Sequence, residues 1–147
     1  MELREHYRTS VMNALGGYQL LEQQLKTYLA MYHDAVRVLT KGQLHYGYVE
    51  SDLQNWPLGR LRSTFAKTNG NDQLAKDIQS LISHRDHIAH QAMTALYDQS
   101  IPDQNIRAMV EENFITIRKI QEIQGALTNE MEQVITVFKR AASGPGA

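Results

Sequence analysis

The sequence predicts an all-α fold: an up-and-down helical bundle of two long helices plus a short and a medium helix. Three observations carry this. Apolar residues recur at steps of three and four over long stretches. Only three prolines, Pro57, Pro102 and Pro145, punctuate the 147 residues, and proline is disfavoured inside helices but tolerated in their first turn. No repeat and no strand-rich region is present.

The first helix is expected from about Glu2 to Thr40, with Val11, Leu15, Tyr18, Leu21, Leu25, Tyr28, Leu29, Tyr32, Val36 and Leu39 along one stripe. Gly16 and Gly17 sit inside it, where they allow a bend or a close helix approach. Residues 41–56 carry two glycines and no clean period, so a loop is expected, with a short extended piece from Tyr46 to Val49. A short helix follows from Pro57 to about Lys67. The run Asn69-Gly70-Asn71 is a turn, and Asn71 or Asp72 can cap the next helix. That helix runs to about Tyr97. Pro102 opens the last helix, which is expected to reach about Arg140 with Val110, Phe114, Ile117, Gln121, Gln124, Leu127, Met131, Val134 and Phe138 on its stripe. The domain is taken as residues 1–142, and 143–147 as a flexible tail.

Composition excludes several classes of function. The chain has no cysteine, so disulfide scaffolds, thiol nucleophiles and cysteine-ligated metal sites are out. Lys plus Arg is 15 and Asp plus Glu is 16, a net charge of -1, so no global basic field draws the chain to nucleic acid or anionic membrane. No apolar run approaches the ~20 residues of a membrane span. The charged opening MELREHYRTS is unlike a signal peptide, and a cytoplasmic location is expected.

One residue stands where packing would place an aliphatic side chain. On the third helix, Leu74, Ile78, Leu81, Ile82, Ala89, Ala92 and Leu96 fall on one face at about 100° per residue, and Arg85 falls near its centre. A guanidinium keeps its charge, and burying it unpaired costs several kcal/mol. Arg85 therefore needs a buried carboxylate, a wet cleft or a subunit interface. Asp86 and His90 are four residues apart, so a carboxylate can orient and activate an imidazole there. One fixed cation, one titratable base and one acid make a set suited to phosphate chemistry.

Arg85-Asp86-His87-Ile88-Ala89-His90 resembles the signature of the HEPN superfamily: an arginine, a polar residue, then a histidine after four to six positions. The Ala89-His90 ending and the upstream Leu58-Gly59-Arg60-Leu61 are also similar to that family, as is the order of long helix, loop, short helix, motif helix and long helix. The resemblance implies a homodimer joined through the motif helix and a metal-independent, cofactor-free endoribonuclease. His90 and Arg85 would serve as catalytic base or acid and as charge stabiliser, with Asp86 orienting either of them. His84 and His87 would contact the RNA. Many relatives in that superfamily are toxins with a protein antitoxin or antiphage effectors, and others only bind a partner protein or nucleotide. A tyrosine two positions after the histidine marks one regulated group; here Ala92 stands there.

Arg60, Arg62 and Lys67 lie upstream with no acid between them and could position an RNA backbone or simply face solvent. His84, His87 and His90 form H-x-x-H-x-x-H, but the third rotates about 120° away, and no Glu-x-x-His is present, so no metal site is expected. Tyr28 and Tyr32 fit a core, whereas Tyr46, Tyr48 and His45 fit a contact loop. Trp56 is expected to plug one end of the bundle. No glycine-rich phosphate loop and no G-x-S-x-G is present.

Overall fold

The computed structural model describes residues 2–43 and 48–144, with Leu96 described by its backbone alone. It is all-helical: α1 (Glu2–Leu39), α2 (Glu50–Leu53), α3 (Leu58–Thr68), α4 (Asp72–Tyr97) and α5 (Asp103–Ser143). The predicted boundaries hold to within a few residues, because the punctuation is chemical. Pro57 and Pro102 occupy the N-cap positions of α3 and α5. The Asn71 side chain accepts from the Leu74 N–H and caps α4. α1 stops where Lys41 and Gly42 both take positive φ and their N–H groups return to Val38 and Arg37, the capping turn that satisfies the last carbonyls of a helix. Within the stretch expected to be loop, residues 50–53 form the one-turn helix α2, whose Leu53 is fully buried. Of the extended piece expected over Tyr46–Val49, residues 46–47 fall outside the described residues and Val49 is extended; the tail beyond Gly144 also falls outside them.

α1 and α5 run parallel and in contact along most of their length. Near one end Asn113 Nδ2 donates to Ser10 Oγ at 3.0 Å, and further along Gln24 Nε2 donates to Gln124 O at 3.0 Å and Thr128 Oγ1 at 3.1 Å. Between these, Gly17 earns its place. A Cβ there would lie 3.2 Å from Ile120 Cδ1, whereas one at Gly16 would meet nothing within 4 Å. α4 lies antiparallel to the pair. The Tyr18 hydroxyl donates to Leu81 O at 2.7 Å, and Arg4 donates to Ala95 O, Asp98 O, Gln99 O and Ile101 O. One guanidinium thus satisfies the carbonyls where α4 ends and the chain turns into α5.

The opposite end of α4 is tied down by Glu130 of α5. Its carboxylate accepts from Asn69 Nδ2 at 3.0 Å and Asn71 Nδ2 at 2.9 Å, and Asn69 Nδ2 also reaches the Tyr28 hydroxyl at 2.9 Å. The core runs between these two ties and includes Tyr7, Tyr18, Leu21, Leu25, Leu61, Phe65, Ile78 and Ile88.

Three expected faces need correction. On α5 the core line is Ile106, Val110, Asn113, Thr116, Ile120, Ile123 and Leu127. Phe114 and Gln121, expected inside, are exposed, as is Phe138. The inward line was hidden because it includes two polar residues, each with an internal partner: Asn113 on Ser10, and Thr116 on Glu112 O. On α4, Ile88 is buried and Ala89 exposed, which turns the core face slightly from the expected one. On α1, Leu39 is exposed.

Two expectations follow for stability. Glu130→Ala leaves the Asn71 amide without its acceptor and the Asn69 amide with the Tyr28 hydroxyl alone, and should lower the unfolding free energy by about 2 kcal/mol in urea. Gly16→Ala should raise it by up to ~1 kcal/mol through helix propensity, while Gly17→Val should lower it by pressing methyl groups into Ile120.

Candidate functional site

Arg85 occupies the core-facing line of α4 between buried Leu81 and Ile88, and it is half-buried. It stands near Tyr18: burial pushes that hydroxyl up to about 12, with the positive charge of Arg85 pulling the other way. Among the described residues, Arg85 has no ion pair; the one ion pair there joins Arg37 to Asp34. The guanidinium is therefore not consumed by a structural carboxylate. A long arginine side chain can bury its stem and present its head at the boundary of the core.

His90 is exposed, and so are Asp86 and His87, while His84 is half-buried. Arg85 and His90 lie about 140° apart around the helix. The arc between them holds Ala89, Asp86 and Met93, all exposed. Arg85 and His90 consequently border one open strip of α4 rather than meeting in a cleft. Asp86 and His90 share that strip without a hydrogen bond between them. His84 and His87 bring their rings to 5.5 Å, tilted by 37°. Among the described residues no group of three or more His, Asp or Glu side chains is placed to hold a metal ion.

The basic residues of α3 divide. Arg60 and Lys67 are exposed and seven residues apart, so they share a face. Arg60 stacks its guanidinium over the Trp56 ring at 3.7 Å. Arg62 is turned away, half-buried, with its Nε out of contact with water and without a hydrogen-bond partner among the described residues. The three do not form a single patch. Trp56 is buried, as expected of a plug.

A second constellation was not anticipated from the sequence. Phe65, Tyr28, Tyr32, His33, Tyr48 and Trp56 form a chain of ring contacts with successive centroids 5.0–6.3 Å apart. His33 is 2 % exposed. Burial and then the Arg37 charge hold its imidazole below the ordinary value of 6.5, against the pull of Asp34. A buried histidine one step off the apolar stripe of α1 was the available signal. His45 and Tyr46, expected in a contact loop, lie outside the described residues.

Comparisons with protein-family models, with curated proteins and with solved structures find no match to this chain. No helix among the described residues is long and apolar enough to cross a membrane.

The His33 environment sets a pH dependence. Because its folded-state pKa lies below that of the unfolded chain, the unfolded state binds more protons over the interval between them. The associated stability is present in full above about pH 6.5 and is lost as pH falls towards the folded-state value. Urea unfolding at stepped pH should show this decline, and His33→Phe should flatten it.

Proposed function

We propose that the chain is a HEPN-type, metal-independent endoribonuclease that works as a homodimer, with a role as a toxin restrained by an antitoxin or as an antiphage effector. The observation that carries this reading is the open strip of α4. A half-buried arginine without an acidic partner among the described residues stands at one edge, and a solvent-facing histidine lies across from it. A second copy of α4 laid against the strip would bring two arginines and two histidines around one groove. Met93 and Tyr97, 66 % and 82 % exposed on the same side, supply apolar surface for that contact.

The chemistry follows from the groups present. One His90 takes the proton from an RNA 2′-hydroxyl, whose oxygen attacks the adjacent phosphorus. The bond to the 5′-oxygen of the next nucleotide breaks, and the other His90, protonated, gives that oxygen its proton. The products are a 2′,3′-cyclic phosphate and a 5′-hydroxyl. Arg85 stabilises the negative charge that grows on the phosphoryl oxygens. Asp86 orients the imidazole or the guanidinium, and His84, His87, Arg60, Arg62 and Lys67 are the candidates for RNA contact.

A second reading is a non-catalytic helical module that binds a protein partner. It is favoured by the same exposed Met93 and Tyr97, which suit a contact face better than an active site.

RNA cleavage in excess chelator separates the two. Wild-type protein should release cyclic-phosphate ends. Arg85→Ala and His90→Ala should each slow cleavage at least ~100-fold with unchanged circular dichroism. Equal cleavage by all three proteins would reject the assigned residues. Failure of the wild type to cut any RNA would favour the binding module.

A further inference from the structure

Two helices this long have more than one side, and the side of the α1–α5 pair turned away from α4 mixes exposed apolar side chains with uncharged polar ones. Tyr18 points at α4 through its bond to Leu81. Gly16 and Leu20, each two residues away, point about 200° from it. Here the pair forms a hollow of about 530 Å³ lined by Met12, Gly16 and Leu20 of α1 and by Ile117, Gln121 and Gln124 of α5, among others, with no charged residue in its wall. A second hollow of about 350 Å³ follows, with Met31 and Asp34 facing Ile135, Phe138 and Lys139. The two lie on one face. Leu20 and Met31 are about three turns apart, and Ile117 and Ile135 five turns apart. Met12 is 67 % exposed, Leu20 63 %, Ile135 38 % and Phe138 39 %.

We infer that this face is a docking surface for a second copy of the chain, packed so that the two α1–α5 pairs form a four-helix interface about a two-fold axis along the helices. Charge and area both argue for that occupant. Such an axis sets α1 of one copy opposite α5 of the other. Asp34 and Lys139 line the same hollow from opposite helices, so each Asp34 meets a Lys139 across the axis, twice. Asp34 bonds Arg37 through Oδ1 and keeps 61 % of its side chain exposed, available to that contact. The face is self-complementary, as a two-fold interface requires. From Met12 to Asp34 it runs roughly 33 Å, and two helices make it roughly 20 Å wide. That is about 650 Å² per copy, or about 1,300 Å² in total, within the range of stable interfaces. An uncharged hollow gives a nucleic acid no handle.

This inference is independent of the ribonuclease reading, since α4 lies on the other side of the pair. The test is sedimentation velocity on the full chain over roughly 1–100 µM. Association sensitive to the α1–α5 face is expected: a dimer if this face alone pairs, a tetramer if the α4 contact forms as well. Leu20→Glu, at a position exposed in the single chain, should raise the dissociation constant at least ~100-fold with helical content unchanged. Asp34→Lys should weaken the dimer about tenfold, and adding Lys139→Asp should restore it. A monomer at the highest concentration would overturn the inference. So would an assembly that Leu20→Glu leaves unchanged, a double charge variant no tighter than Asp34→Lys alone, or a dimer broken by Tyr97→Glu but not by Leu20→Glu.

Discussion

Along the seam where α1 and α5 run side by side, a missing Cβ at Gly17 lets Ile120 settle against the α1 backbone, and the Ser10–Asn113 and Gln24–Gln124 bonds pin the register at two levels. The other helices are arranged around this seam. α4 packs across it with Tyr18 as its anchor, and its ends are held by Arg4 from α1 and Glu130 from α5. α3 enters through Leu58, Leu61 and Phe65, and the Asn69 turn that follows it closes on Tyr28 and Glu130. Apolar burial supplies the bulk of the driving force. The polar ties decide which of several similar helix packings is adopted, because a slipped register would leave the buried Asn113 or the half-buried Glu130 without its partner.

Helix boundaries were legible because they are written in local chemistry: prolines at two N-caps, an Asn-Gly-Asn turn, and a glycine closing α1. The inward face of α5 was not legible. Asn113 and Thr116 look like solvent residues, and Phe114 and Phe138 look like core, until Ser10 and the outer side of the pair are seen. A periodicity argument ranks residues by hydrophobicity. It cannot recognise a buried amide whose partner lies about a hundred residues away in the chain, as the Asn113–Ser10 bond does at a separation of 103. The same blindness hid His33, whose place within the aromatic chain depends on Tyr48 and Trp56 arriving from a different segment.

For the candidate site the balance differs. That Arg85 falls on the core line of α4 was visible from spacing alone, and its half-buried position between buried Leu81 and Ile88 agrees with that reading. The relation between Arg85 and His90 was harder to judge. Five residues of helix separate their directions widely, and only the exposure of Ala89, Asp86 and Met93 shows the ground between them to be open. The basic triplet of α3 was open to two readings, an RNA contact or a solvated face, and helical rotation sends Arg62 to a different side from Arg60 and Lys67.

The Arg4 tie and the seam together join segments far apart in the chain, with α2, α3 and α4 between them. During translation, α1 therefore emerges with its greasy stripe bare, is covered in part by α3 and α4, and waits for α5 to close the rest. A nascent chain in that condition exposes apolar surface that is prone to aggregate. Synonymous changes that slow decoding across α4 would lengthen the vulnerable interval without altering a single side chain of the finished protein.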